Sequence, residues 1–256
     1  MEKNDLGLPL EYSVLHNYYE ALSSGDVDAK NSLIEEILCK YGVKTVLDLT
    51  CGTGSQVFWL AQRGFKVTGS DFSPALLDIA KNKAQQEKID VRLLDGDMRT
   101  IKVGSFDAVI TIFNAVGHLT KADFEIAMKN IYDNLKDGGL YVFDILNLAA
   151  MTDAAVDALE MDQNKTVDGI TIRNVQYSTI DIESGRLTSY DCFILQEGLI
   201  DQDILTGEFT LQIYTAQELR EMLARNGFET LEQCALDGSK FLDRKTRNIL
   251  TIAKKV

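Results

Sequence analysis

A β-branched apolar run at residues 44–49 passes straight into Asp48-Leu-Thr-Cys-Gly52-Thr-Gly54, and residues 55–63 then repeat apolar side chains at helical spacing up to Gly64. A strand that becomes a helix within a few glycine-containing residues opens a βαβ unit, because a parallel neighbour is reached only through a crossover. The unit recurs. Residues 65–69 read as the next strand, and Ser73-Pro74 starts a helix to about Glu87, with Ser73 as cap and Pro74 at the first helical position. Residues 91–94 and 106–113 read as the third and fourth strands. Thr120-Lys-Ala-Asp123 is a capping-box pattern for a helix to about Leu135, Asp137-Gly138-Gly139 a turn, and residues 140–145 a fifth strand. Residues 228–235 and 248–253 supply two more. Near-continuously apolar strands alternating with helices predict an α/β fold with a doubly wound, mostly parallel seven-stranded sheet covered on both faces.

Two segments depart from that rhythm. Residues 1–43 read as a helical cover: 10–22 carries Tyr12, Leu15, Tyr18, Tyr19 and Leu22 at helical spacing, and a second helix over 28–41 stops at Gly42. Residues 151–214 read as an antiparallel β insert with strands at 170–182, 187–195 and 208–214 and a hairpin turn at Glu183-Ser-Gly185-Arg. In the last of these Phe209, Leu211 and Ile213 alternate with Thr210, Gln212 and Tyr214, which predicts a sheet packed on one side only, as a lid, substrate or oligomer surface. Thr215-Ala-Gln-Glu218 caps a helix that ends at Gly227. The division expected is therefore 1–43 cover, 44–150 with 215–256 as the main α/β domain, and 151–214 insert.

Composition removes several function classes. The 256 residues carry 39 acidic and 26 basic side chains, a net charge of -13, and no basic cluster, which argues against nucleic acid and against an anionic membrane face as partners. No apolar run approaches the ~18 residues of a membrane span, and the polar start Met1-Glu-Lys-Asn-Asp5 does not read as a signal peptide. Four scattered cysteines (Cys39, Cys51, Cys192, Cys234) without a CxxC pair, and two histidines, point away from a zinc or other metal site and toward a reducing cytoplasm. The chain is expected to be a monomer or homodimer.

The chemistry-bearing residues fall at the carboxyl ends of the expected strands. Glycines at 52 and 54 let backbone N–H groups approach a ligand. Asp71, at the end of the second strand, is placed to accept ribose hydroxyl protons. Asp97-Met98 follows the third strand, and Phe113-Asn114 ends the fourth. Open α/β sheets bind ligands along that edge. Cys51 reads as a small loop residue rather than a nucleophile. His118 leaves three readings open: a proton acceptor, a cap for the helix at Thr120, or a hydrogen-bond partner of a cofactor.

Val46-Leu-Asp-Leu-Thr-Cys-Gly-Thr-Gly54, Val67-Thr-Gly-Ser-Asp71, Gly96-Asp97-Met98, Phe106-Asp-Ala-Val and Leu135-Lys-Asp-Gly-Gly139, in that order, resemble the class I S-adenosylmethionine-dependent methyltransferase family over residues 40–145, with Thr50 where the family's first loop glycine usually stands. The resemblance implies a Rossmann-like methyltransferase domain that binds S-adenosyl-L-methionine and releases S-adenosyl-L-homocysteine. It implies that Asp48 and the backbone of Thr50, Cys51, Gly52, Thr53 and Gly54 hold the methionine end. Asp71 takes the ribose, Phe72 lies against the adenine, and Asp97 and Met98 meet the adenine edge. Phe113 and Asn114 lie near the sulfonium, and Tyr18 or Tyr19 covers the carboxylate end. The reaction implied is SN2 methyl transfer to a small acceptor. The stretch from Phe209 to Leu219 resembles small-molecule N-methyltransferases of the glycine/sarcosine and amino-sugar types and points to an amine. A non-catalytic S-adenosylmethionine- or S-adenosylhomocysteine-binding protein is the alternative. A nicotinamide oxidoreductase is disfavoured, because Val57 stands at the third glycine of Gly-x-Gly-x-x-Gly.

Overall fold

A computed structural model describes residues 6–23, 27–198 and 201–256; the polar start at residues 1–5 lies outside the described residues. In chain order the elements are α1 (Tyr19–Leu22), α2 (Val27–Lys40), β1 (Thr45–Asp48), α3 (Ser55–Gln62), β2 (Lys66–Asp71), α4 (Pro74–Glu87), β3 (Arg92–Asp95), β4 (Phe106–Thr111), α5 (Lys121–Asn134) and β5 (Leu135–Leu146). They continue as α6 (Asp153–Asp157), β6 (Met161–Val167), β7 (Ile170–Asp181), β8 (Arg186–Glu197), β9 (Asp201–Gln212), α7 (Ala216–Arg225), β10 (Phe228–Cys234) and β11 (Asn248–Lys255).

Seven strands form one sheet in the order β3-β2-β1-β4-β5-β11-β10. The pairings from β3 to β5 are parallel, and β11 runs antiparallel to both β5 and β10. The chain moves outward from β1 to β3, then returns to the other side of β1 for β4. The carboxyl ends of β1 and β4 therefore flank a topological switch point, where an open α/β sheet leaves a crevice. Strand alternation sends Val46, Ala108, Ile110 and Val142 to one face, against Ile34, Leu38, Val57 and Leu77 of α2, α3 and α4. Leu47, Val109, Tyr141 and Phe143 go to the other face, against Phe124, Met128 and Ile131 of α5 and Leu219 and Leu223 of α7. Each of the larger side chains stabilises the fold by ~1.5–3 kcal/mol on burial, and the two cores hold the sheet between them.

Helix starts follow the expected caps. The hydroxyls of Ser73, Thr120 and Thr215 accept from the amides of Leu76, Asp123 and Glu218 at 3.4, 3.1 and 3.1 Å. No helix among the described residues is long and apolar enough to cross a membrane.

Four details differ from the sequence expectation. Residues 10–22 are not one helix: 3₁₀ turns at Leu10–Tyr12 and His16–Tyr18 precede the single turn of α1. The apolar side chains there serve two surfaces, with Leu15 and Leu22 packing on the insert while Tyr12 and Tyr19 face the sheet edge. A continuous helix has only one such stripe. Asp137-Gly-Gly139 lies within β5, as a detour that shifts the pairing with β4 between Leu135 and Leu140. The insert has four strands in the order β6-β7-β8-β9. Its polar edge strand β6 carries no apolar alternation, and β9 begins earlier than expected. Finally, Gln212 and Tyr214 are buried rather than facing solvent. Gln212 donates to the carbonyls of Ser184 and Gly185 at 2.8 and 2.9 Å, and Tyr214 packs on Phe124, because the chain re-enters the main body there.

Candidate functional site

The crevice at the carboxyl edge is a cavity of about 610 Å³. Of the residues expected to bind a ligand, Tyr19, Asp48, Thr50, Cys51, Gly52, Thr53, Asp71, Phe72, Asp97, Met98, Phe113 and His118 line it. Gly54 and Asn114 do not. Gly54 sits behind the loop as the N-cap of α3 at φ +91°, where a Cβ would come within 2.5 Å of the Phe58 ring. Asn114 turns toward β11, its Oδ1 accepting from Asn248 Nδ2 at 3.3 Å.

The loop after β1 is rigid because most of its amides bond internally. Thr50 N donates to Asp48 Oδ1 at 3.1 Å, Cys51 N to the Ser70 carbonyl at 3.0 Å, and Gly54 N to the Cys51 carbonyl at 2.8 Å. Gly52 N donates to Asp71 Oδ2 at 2.8 Å. At Gly52, φ is +50° and no atom lies within 4 Å of where a Cβ would stand, so the loop presents bare backbone to the cavity. Thr50 Oγ1 and Gln56 Nε2 line the cavity and are buried without a hydrogen-bond partner. Such groups carry a desolvation cost that a polar ligand removes. Cys51 lies 7% exposed, and burial pushes its thiol pKa up, so it is no nucleophile at neutral pH.

Three carboxylates stand around this loop in different electrostatic states. Asp48 is fully enclosed; burial pushes its pKa up to about 7, and the nearby Asp71 adds to the rise. Asp71 is also raised by burial, opposed by the amides of Ser73 and Gly52 that its two oxygens accept at 2.8 Å each. Each carboxylate oxygen has a second lone pair, so both remain able to accept from hydroxyls. Asp97 is held differently. Burial would raise its pKa, but the hydrogen bonds from Arg99 outweigh it and leave the carboxyl below its usual value. The Arg99 guanidinium grips both oxygens at 2.6–3.1 Å. Arg99 in turn reaches Asp123 Oδ1 at 3.1 Å. Arg99 itself lines the cavity, so it shares the Asp97 carboxylate with anything that binds there.

Phe113 and Asn114 both adopt left-handed backbone, φ +66° and +59°, a costly state for non-glycine residues that persists only when neighbours impose it. The buried Asp144 carboxylate imposes it, accepting from Phe113 N at 2.6 Å and Asn114 N at 3.4 Å. Burial raises its pKa to about 6. The turn points the Phe113 ring into the cavity, beneath the Lys30 ammonium at 4.8 Å.

The N-terminal strap closes the cavity. Gly7 pairs with Phe209 of β9, and the Tyr12 carbonyl accepts from Ser73 Oγ at 2.7 Å. Glu20 binds Thr53 Oγ1 at 2.7 Å and pairs with Lys83. Gly7, Leu8 and Tyr12 join the lining; they escape sequence reading because Tyr12 looks like one more position of a helical stripe. Pro9, ahead of the 3₁₀ turn at Leu10–Tyr12, is the available signal that the stripe breaks. Of the tyrosine pair it is Tyr19 that lines the cavity, while Tyr18 packs on the insert core. His118 ends a 3₁₀ turn at Ala115–His118. Its Nε2 lies 3.3 Å from the Tyr12 hydroxyl, and burial holds its pKa down to about 4. It does not cap α5, since the Thr120 hydroxyl does that.

Comparison with known proteins agrees with this fold. Residues 46–139 match the family model described as a methyltransferase domain. A putative methyltransferase of Geobacillus sp. (strain WCH70) is 29% identical over 158 residues, 60% of this chain and 64% of that protein, so the match spans less than two thirds of the relative's length. A crystal structure of an S-adenosylmethionine-dependent methyltransferase from Clostridium acetobutylicum ATCC 824 superposes with TM-score 0.78 at 20% identity, covering 95% of this chain and 98% of that one. CalS10, an amino pentose methyltransferase from Micromonospora echinaspora solved with bound S-adenosylmethionine, superposes with TM-score 0.74 at 22% identity, covering 97% and 99%.

Proposed function

We propose that this chain, which carries a methyltransferase domain on the class I fold, transfers a methyl group from S-adenosyl-L-methionine to a small acceptor, with an amine as the favoured nucleophile. The observation that carries the reading is the single cavity that gathers Asp48, Asp71, Asp97 and Phe113 from the ends of four neighbouring strands under the strap. Its volume lies within the ordinary range for small-ligand sites, about 300–1,000 Å³.

The residues present fit the cofactor. Asp48, Thr50 and Gln56 offer a buried, partly unpartnered polar end for an amino-acid moiety. Asp71 accepts from the ribose hydroxyls, Phe72 flanks the base, and Met98 borders its edge. Bound there, S-adenosyl-L-methionine would supply an electrophilic methyl on a sulfonium whose departure leaves a neutral thioether, S-adenosyl-L-homocysteine. The protein's task is then alignment and exclusion of water, and positioning of this kind is worth ~7–11 kcal/mol in favourable cases. The strap and the Phe113 turn fix the walls. His118, neutral at pH 7 and beside the Tyr12 hydroxyl, lines the same cavity and can accept a hydrogen bond from an amine nucleophile, while the burial that holds its pKa down to about 4 works against a full proton transfer to it.

The small amine acceptor rests on two supports. The strap residues Gly7, Leu8, Tyr12 and Tyr19 form part of the cavity wall, and the acidic lining of Asp48, Asp71, Asp95 and Asp97 faces only Arg99 as a lining cation among the described residues. The amino pentose activity of CalS10 is in keeping with that chemistry. Calorimetric titration with S-adenosylmethionine and S-adenosylhomocysteine, with NAD as control, tests the cofactor. Micromolar binding of the sulfur compounds and none of NAD is expected, and the reverse overturns the reading. Acceptor-dependent formation of S-adenosylhomocysteine separates an enzyme from a non-catalytic binding protein.

A further inference from the structure

One wall of the cavity is a single stretch of chain. Ile112, Phe113, Ala115, His118 and Leu119 all line it, between the end of β4 and the start of α5. The stretch consists of the left-handed pair Phe113–Asn114 and the 3₁₀ turn at Ala115–His118. The 3₁₀ turn starts from Asn114, whose carbonyl accepts from Gly117 N at 2.8 Å. The direction in which the turn leaves, and hence the place of His118, follows from the backbone of Phe113 and Asn114. That backbone does not hold itself, since φ values of +66° and +59° are unfavourable for residues with side chains.

Asp144 is the fixed point it hangs from. Asp144 lies on β5, 1% exposed and paired with Leu250 of β11, while its neighbour Phe143 pairs with Thr111 of β4. A residue held by strands on both sides cannot follow a moving turn. Its Oδ1 accepts both turn amides, Phe113 N at 2.6 Å and Asn114 N at 3.4 Å. The far end of the wall rests on the next residue of the same strand: a Cβ on Gly117 would come within 2.8 Å of Ile145 Cδ1. Two contacts from other elements brace the turn. The Lys30 ammonium of α2 lies 4.8 Å from the Phe113 ring centre, and Asn248 Nδ2 of β11 donates to Asn114 Oδ1. An apolar side chain at 144 would pack well but leave the two amides without an acceptor.

We propose that Asp144 is a positioning residue: by accepting from the turn amides it sets the Phe113 wall and carries His118 to the cavity, without lining the cavity itself. The proposal deepens the methyl-transfer reading and rests on it only for what the cavity holds. The amides need a lone pair at a fixed point rather than a full charge, and an amide oxygen offers one. The proposal therefore separates position from charge: an asparagine at 144 keeps the wall, and a side chain without an acceptor loses it.

The test follows the His118 ring by NMR in the ligand-free full chain. The chain has two histidines, His16 and His118, so a His16→Gln variant assigns the signals. Between about pH 7.5 and 5 the parent ring is expected to stay neutral, because burial holds its pKa down to about 4. In Asp144→Ala, and in the volume-keeping Asp144→Leu should the smaller side chain prevent folding, the ring is expected to titrate inside that window, toward the ordinary value of about 6.5. S-adenosylhomocysteine binding is expected to weaken about fivefold or more in the same variants, and to stay within about twofold in Asp144→Asn, whose His118 remains neutral. Ile131→Ala, which loses packing in the fully buried core of α5, is expected to melt lower with His118 still neutral. The proposal is overturned if His118 stays neutral in the folded removal variants, or if Asp144→Asn or Ile131→Ala exposes the ring as fully as loss of the acceptor does. The NMR arm contains no ligand, so its outcome is distinct from a failure of the parent to bind S-adenosylhomocysteine, which would count against the methyl-transfer reading instead.

Discussion

Asp71 holds the glycine loop and the start of α4 together through the amides of Gly52 and Ser73, and its remaining lone pairs face the cavity. Asp71→Ala is therefore expected to act twice. It should weaken S-adenosylhomocysteine binding by ~1.5–3 kcal/mol, roughly 10- to 150-fold, through loss of charge-assisted bonds. It should also lower stability by ~1–3 kcal/mol, because two buried amides lose their acceptor. Calorimetry beside a denaturant melt separates the two, and unchanged affinity in the folded variant would refute the ribose assignment. At His118 the expectation splits the other way. His118→Ala should cut turnover by about 10²-fold or more if the ring takes the nucleophile's proton, with cofactor affinity little changed. Unchanged turnover removes it from the reacting centre.

Among the elements, the strap has the fewest intrinsic reasons to hold its shape. Its 3₁₀ turns and the single turn of α1 are too short to be stable alone, so it is held by what it touches: Phe209 and Gly207 on β9, Ser73 at the α4 cap, and Thr53 and Lys83 through Glu20. Gly207→Val would put two methyl groups where Leu10 lies, while leaving β9 a good strand. The expected outcome is a far-UV spectrum like that of the parent, faster proteolysis near the N-terminus, and at least fivefold weaker ligand binding. A variant that binds normally would show that the strap is not part of the closed site. The same element shows how sequence reading goes astray. Leu15, Tyr18 and Leu22 keep helical spacing, yet the segment serves two surfaces in different directions. The caps at Ser73, Thr120 and Thr215 were legible because their chemistry is local.

For the whole molecule, buried carboxylates set the pH response. Asp48, Asp144 and Asp191 have folded pKa values raised to about 7, 6 and 7. Between the ordinary carboxylate value and those values the folded state keeps protons that the unfolded state has lost, so stability falls as pH rises through that window. His118, held down to about 4, works in the opposite sense, losing stability as pH falls from its ordinary value toward 4, but it is one group against three. Asp97, Asp107 and Glu20 have lowered values and lose their contribution only at more acid pH. The net charge of -13 adds self-repulsion in the same direction as the raised carboxylates. The ligand-free protein is therefore expected to melt at a higher temperature near about pH 5.5 than near about pH 8, and thermal scans at constant ionic strength check it. A slope of the opposite sign would mean that these carboxylates are ionised and compensated in the folded chain.

The strand–glycine–helix opening, the βα rhythm, the helix caps and the positions of Asp48, Asp71, Asp97 and Phe113 at strand ends were all legible in the sequence. Each follows from chemistry within a few residues, and the parallel topology places strand ends together without further information. Tertiary structure alone decided the rest. The Arg99 bond to Asp123, the left-handed Phe113–Asn114 turn held by Asp144 and the edge strand β6 each join residues distant in sequence, or lack any periodic signal. Contacts of that kind exist only once the chain has closed on itself, because nothing in either partner's local sequence specifies the other.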